Sequence, residues 1–254
     1  MEKHRYFLHL AYNGSTFHGW QAQKNAHSVQ EEIENSLFLI LRNQEIKLTG
    51  AGRTDTGVHA RNYYAHFNTE LLLDEEYLKQ LVYRLNHILP DSIAIYNAFR
   101  VNDEEHARFS AVSRTYQYFI CRDYDPFSVG YSYRLTIPLN IDLMNEAASL
   151  IMQYSDFTCF TKNGAQTKTN NCLVTVSEWI VRDNYLIYRT KANRFLRNMV
   201  RAMVGTLLNV GKGKLSIEDF RSILENGTRS DAGQSVPACG LFLEDIEYPS
   251  TIVP

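Results

Sequence analysis

The stretch Ala51-Gly-Arg-Thr-Asp-Thr-Gly-Val-His-Ala60 places a guanidinium and a carboxylate two residues apart, bracketed by two glycines. A carboxylate so placed can add to an electrophilic carbon or take a proton, and an arginine beside it can neutralise an anion. The same residues also suit a plain β-turn, with Gly52 and Gly57 supplying positive φ and Asp55 capping its own backbone. A second set, Arg194, Arg197 and Arg201, recurs at spacings of three and four. On a helix expected over about 195–209 these arginines make one basic stripe, opposite an apolar stripe of Leu196, Val200, Met203, Val204 and Leu207. From Arg189 to Lys214 there is no Asp or Glu, so the stripe suits an anionic ligand, most simply a phosphate backbone. Solvated arginines on an ordinary amphipathic helix give the same pattern, and Arg201, nearest the apolar face, could instead reach a buried carboxylate. Tyr116 and Tyr118 alternate on one strand face with Arg108 and Arg114 close in sequence. They are either core aromatics or, beside a polar cleft, platforms on which a base can stack.

Other chemistries are poorly supplied. There is no Ser-His-Asp arrangement, Walker loop or Gly-x-Gly-x-x-Gly fingerprint, which removes nucleoside-triphosphate and nicotinamide chemistry as leading options. The eight histidines include no His-x-x-x-His pair, so no metal is expected. His18, His59 and His106 are read as polar-contact or structural residues. Cys121, Cys159, Cys172 and Cys239 form no Cys-x-x-Cys pair and are read as four reduced, mostly buried thiols.

The elements that must position these groups read as one topology, twice. Arg5–Tyr12 is a strand ending at Asn13-Gly14; Ser28 with Glu31 makes a capping box ahead of Val29, Ile33, Leu37, Ile40 and Leu41 at helical spacing. Glu45–Thr49 and Asn62–Phe67 read as strands flanking the Asp55 loop. A helix carried by Leu78, Leu81, Val82, Leu85 and Leu89 stops at Pro90, and Ser92–Phe99 closes the half. The order βαββαβ is that of the ferredoxin-like unit, shared by RRM-like modules. It recurs after the polar run Val101-Asn-Asp-Glu-Glu105, with strands near 114–121, 172–182, 185–191 and 240–247 and helices carried by Leu143–Ile151, at 195–209 and at 216–225. The expected domains are therefore 1–104 and 105–254, in an α+β fold. Thr161–Asn171 lacks apolar periodicity and is expected to be a mobile loop. With 254 residues, 44% hydrophobic and 21% charged, the chain has a globular composition. No run suits a membrane span and no signal-peptide pattern is visible, so a cytoplasmic protein is expected. A net charge of −2 argues against indiscriminate coating of nucleic acid.

Seven motifs in one order carry a resemblance over nearly the whole chain: Tyr12-Asn-Gly-Ser-Thr-Phe-His-Gly-Trp-Gln21, Ser28–Glu32, Ala51–His59, His106-Ala-Arg-Phe-Ser-Ala111, Arg114–Tyr118, Phe195–Gly205 and Pro237-Ala-Cys-Gly-Leu241. The chain resembles the TruA-type tRNA pseudouridine synthases. The resemblance implies isomerisation of uridine to pseudouridine in the anticodon stem-loop of tRNA (tRNA positions 38–40), by a homodimer, without metal or small-molecule cofactor. It implies two ferredoxin-like halves joined in a continuous, mainly antiparallel sheet around a central cleft. It makes Asp55 the nucleophile, Arg201 its guanidinium partner, Tyr116 the aromatic on the target base, and Arg53 an arginine that helps to hold the flipped nucleotide. Thr56 stands where alanine is usual, Asn13 where aspartate is common, and Arg194 adds a positive charge at a variable place. With Arg197 it is expected to contact the RNA backbone.

Two other classes fit parts of the pattern. A non-catalytic RNA-binding protein with two RRM-like units shares the topology, yet the Lys/Arg-Gly-Phe-like strand motif of such units is absent. An aspartate-dependent glycosidase normally needs two carboxylates, and no second acid accompanies Asp55 in its motif.

Overall fold

The computed structural model describes residues 3–41, 45–161 and 168–253. Among them are nine strands, mainly antiparallel, and five α-helices, and the chain divides into two compact units. Residues 1–112 with 243–254 form the first and 113–242 the second. The division therefore falls at Val112/Ser113 and not at the polar run expected to end a domain at residue 104. That run is instead tied into the first unit: Arg5 N donates to Asp103 Oδ1 at 3.1 Å and Arg5 Nη1 to Glu105 O at 2.8 Å. The tail returns to the first unit as well, with Val112 N donating to Glu247 O at 2.7 Å and Tyr248 OH to Ala107 O.

In the first unit, β1 (His4–Tyr12) pairs antiparallel with β3 (His59–Thr69) on one side and β4 (Ile93–Val101) on the other. Its middle is covered on both faces, since Phe7 is as fully buried as its neighbours. Tyr6, Leu8 and Leu10 are fully buried, opposite Phe67, Ala65 and Tyr63. Helix α1 (Val29–Ile40) starts where expected, Ser28 Oγ accepting from Glu31 N, and contributes Ile33 and Leu37 to the same core. Helix α2 (Glu75–Ile88) is capped by Asp74 and buries Leu78, Leu81 and Leu85.

The strand expected over Glu45–Thr49 shrinks to the two residues of β2 (Thr49–Gly50), paired with β3. Its alternation is real, since Ile46 and Leu48 are buried and Lys47 exposed. What differs is the hydrogen bonding. Leu48 N donates to Glu34 Oε1 at 2.8 Å, and Leu48 O accepts from Gln30 Nε2 at 3.1 Å. Side chains of α1 thus satisfy backbone groups that a neighbouring strand would otherwise take.

In the second unit β5 (Ser113–Cys121) pairs antiparallel with β8 (Tyr185–Ala192), which pairs with β7 (Val174–Arg182); the short β6 (Tyr133–Arg134) runs parallel to β5. Helix α3 (Ile141–Ile151) packs on β7 and on α4 (Met199–Gly211) and α5 (Ile217–Asn226). β9 (Leu241–Glu247) starts in this unit and runs on into the first. The expected loop at 161–171 falls largely, at 162–167, outside the described residues. Cys121, Cys159 and Cys172 are buried free thiols and Cys239 is half-buried. Burial pushes Cys159 up to about 12 and Cys172 up to about 11. Among the described residues no helix is long and apolar enough to cross a membrane.

One buried group in the first unit makes its stability depend on pH. His66 Nδ1 accepts from Ala107 N at 3.1 Å, and its ring meets His106 edge-on at 4.7 Å. Burial first, then the charges of Arg5 and His106, lower its pKa from 6.5 to about 4. The folded state thus binds fewer protons than the unfolded chain between those values, so stability is full above about 6.5 and is lost as pH falls toward 4. From His66 alone the loss is about 3 kcal/mol at one pKa unit per 1.36 kcal/mol. Urea midpoints should drop measurably from pH 7 to pH 4.5, and His66→Gln should flatten that dependence. An equal drop in both proteins would assign it to other groups.

Candidate active site

The Asp55 loop is held through its backbone. Asp55 O accepts from Val58 N at 3.1 Å, closing a tight turn whose third residue, Gly57, has φ +78, a conformation that favours glycine. Gly52, expected to share that role, lies outside the left-handed region. The segment after β1 straps the loop. Trp20 N donates to Thr54 O at 3.4 Å, Gly57 N to Phe17 O at 3.3 Å, and Tyr12 OH meets Thr54 Oγ1 at 2.9 Å. His59, buried, accepts from Gly14 N on Nδ1 at 3.2 Å, which gives it a structural role. Upstream, Tyr63 OH donates to Gly52 O at 2.6 Å and Ala51 N donates to Tyr64 O at 2.9 Å. Asp55 is left half-buried and Arg53 exposed.

The strap needs its own glycines because the two backbones nearly touch. A Cβ on Gly14 would lie 2.0 Å from Val58 O, and one on Gly19, whose φ is +88, would lie 2.3 Å from Thr54 O. Gly19→Ala is therefore expected to lower stability by roughly 1–3 kcal/mol from the left-handed backbone alone. It should also push away the peptide that carries Asp55. Urea unfolding checks the first effect and turnover of the folded fraction the second; an unaltered midpoint would mean the strap is slack.

In the second unit the basic stripe is not a helix face. α4 begins at Met199, four residues later than expected, because Asn198 adopts a left-handed φ of 65. Its side chain is committed elsewhere, Nδ2 donating to Ser235 Oγ at 2.6 Å. Arg194 and Arg197 therefore precede the helix on an irregular segment, Arg194 half-buried and Arg197 exposed; Arg194 Nη1 lies 3.5 Å from Thr169 O. Arg201 alone of the three is helical. It is half-buried, Nε donating to Val236 O at 2.8 Å while its own carbonyl accepts from Val236 N at 3.2 Å. That exchange fixes the guanidinium against the irregular segment leading to Pro237. Of the expected apolar stripe, Val200, Met203, Val204 and Leu207 are buried on α4, while Leu196, also buried, precedes the helix.

Tyr116 and Tyr118 share a face of β5 but not a fate. Tyr118 is fully buried and its hydroxyl donates to Pro237 O at 2.8 Å; burial pushes its pKa well above the ordinary value. Tyr116 is half-buried, with Phe195 edge-on at 5.1 Å. Phe195, Val236 and Thr54 are thus positioning contacts that spacing alone did not single out.

Residues 154–249 match the family model described as tRNA pseudouridine synthase. The chain is 47% identical to tRNA pseudouridine synthase A of Bacteroides fragilis over 254 residues, 99% of each chain. The chain belongs to the tRNA pseudouridine synthase A family. Its similarity to the tRNA pseudouridine synthase A of Azobacteroides pseudotrichonymphae is 48% over 98% of each chain, and to that of Methylacidiphilum infernorum 38% over 96% of this chain and 95% of the other. In this member of the tRNA pseudouridine synthase A family, the first unit carries Arg53 and Asp55, and the second carries Tyr116, Arg194, Arg197 and Arg201.

Proposed function

We propose that this chain isomerises uridine to pseudouridine in the anticodon stem-loop of tRNA, with Asp55 as the nucleophile. The observation that carries the reading is the Asp55 loop itself. It is braced by backbone contacts, which hold the half-buried Asp55 at a set place on the loop. Exchanging the C1′–N1 bond for one to C5 requires the uracil to leave the stack, detach, turn and reattach. A carboxylate serves because it can add to base or sugar, or take a proton, and then depart.

Arg201 is proposed to pair with that carboxylate, favouring its ionised form and fixing its direction. Tyr116 is proposed to pack on the target base and Arg53 to help hold the flipped nucleotide. Flipping costs a few kcal/mol. Stacking on Tyr116 and phosphate contacts from Arg194 and Arg197 would offset it. The reading requires Asp55 from the first unit and Tyr116 and Arg201 from the second to meet at one base, within a central cleft between two ferredoxin-like halves. The element order of the first unit, β1-α1-β2-β3-α2-β4, supports the ferredoxin-like assignment. Action as a cytoplasmic homodimer belongs to the same proposal and rests on the resemblance.

The test is incubation with an unmodified tRNA transcript and with an isolated anticodon stem-loop, followed by chromatography of the digested nucleosides and mapping of the altered position. Pseudouridine in the anticodon arm of both is expected. Bound tRNA returned unmodified would favour a non-catalytic RNA-binding protein, and modification confined to another arm would overturn the substrate assignment.

A further inference from the structure

The first unit contains a cavity of about 250 Å³ whose lining includes Trp20, Gly52, Arg53, His106, Arg108 and Phe109. Gly52 is the informative wall. Its backbone lies outside the left-handed region, and a Cβ built on it meets nothing within 4 Å. Nearby Gly50 is different, since a Cβ there would strike Trp20 Nε1 and Tyr63 OH at 2.3 Å. Neither conformation nor packing asks for glycine at position 52, so the missing side chain leaves room for something outside the chain to approach the backbone.

The chemistry of the lining says what that is. Among the described lining residues there are two guanidiniums and no carboxylate. Phe109 is 75% exposed, with the Arg108 guanidinium 5.5 Å from its ring centre and the His106 ring at 4.4 Å. The turn that presents it is rigid, His106 Nδ1 accepting from Arg108 N and Phe109 N at 3.0 and 3.3 Å. An exposed ring beside guanidiniums suits a base with its phosphate. Asp55 is not among the lining residues while its loop neighbour Arg53 is, which suits a nucleotide next to the reacting one.

We propose that this cavity is a second nucleotide subsite, which takes a nucleotide of the substrate RNA neighbouring the target uridine. The proposal rests on the reading of Asp55 as the catalytic group, because Gly52 and Arg53 belong to the same loop. It is tested with Gly52→Ala and Phe109→Ala, measuring thermal melting, affinity for an unmodified tRNA transcript and single-turnover pseudouridine formation at saturating RNA. Phe109→Ala should weaken binding roughly ten-fold by loss of a stacking partner. Gly52→Ala should weaken it comparably while melting at or above the wild-type temperature, since alanine fits the free protein. In both, affinity should fall by more than the saturating rate.

Unchanged affinity in both variants would overturn the subsite. A collapsed saturating rate with intact affinity would overturn it too, assigning the cavity to the reacting uridine. Should Gly52→Ala melt early, the Phe109→Ala affinity decides alone. Turnover by Asp55→Asn would refute the catalytic reading without altering these affinities, so the two failures are distinguishable.

Discussion

Asp55→Asn is expected to lose pseudouridine formation by on the order of 10⁴-fold or more while folding and binding tRNA nearly as the parent does. The amide matches the carboxylate in volume but is a far poorer nucleophile, and it cannot take the proton that a carboxylate takes. Folding should survive because the loop is closed by Asp55 O to Val58 N and strapped by Trp20 N to Thr54 O, bonds that do not use the Asp55 side chain. Affinity should survive because the residues proposed to hold RNA, Arg53, Tyr116, Arg194 and Arg197, are untouched. Circular dichroism, urea midpoints and filter binding check the two retained properties. A variant that has lost affinity in step with activity would make Asp55 a binding residue.

Arg201→Ala is expected to have the next largest effect, a fall of roughly 10²–10³-fold in the single-turnover rate with RNA saturating. Under the proposed pairing, removing the guanidinium costs the Asp55 carboxylate both the attraction and the fixed direction. Arg201→Lys should recover part of the rate, because a point charge restores the sign of the field but not the planar contact. It also cannot reproduce the present geometry, in which Nε is committed to Val236 O at 2.8 Å and the rest of the guanidinium is aimed by that bond. A purely structural role predicts something else: lowered melting in both variants, and a rate that follows the folded fraction. Equal melting with unequal rates separates the two, and near wild-type turnover in the alanine variant would leave Arg201 as a structural link to the 236–237 segment.

Much of this arrangement is legible in residue order. Ser28 ahead of Val29, Ile33 and Leu37 announces α1; Pro90 stops α2; the aromatic-rich run 62–67 marks β3. Those are local signals, in which one element carries its own periodicity and punctuation. The failures are those where a distant partner decides. Leu48 reads as a strand residue, yet its N–H and C=O are taken by Glu34 and Gln30 on α1, fifteen or so residues earlier. Arg194, Arg197 and Arg201 have helical spacing, yet Asn198 turns left-handed with its amide on Ser235, and the helix starts after it. The glycines of the Asp55 region were visible as types and not as roles. Gly19 proves to allow a backbone contact, Gly57 a positive φ, and Gly52 neither. The Asp55 motif was plain from the start, but the strap from Tyr12 to Trp20 that holds it joins segments some 40 residues apart, which no short window contains.

The most direct test of the central claim, that the Asp55 carboxylate carries out the isomerisation, is a paired single-turnover reaction. Wild-type protein and Asp55→Asn are each mixed in excess with unmodified tRNA transcript, and pseudouridine is quantified against time, with bound RNA measured on the same samples. Wild type should convert its anticodon-arm uridine to near completion, and Asp55→Asn should hold the RNA and convert none. Pseudouridine accumulating at a comparable rate in the asparagine variant would contradict the account.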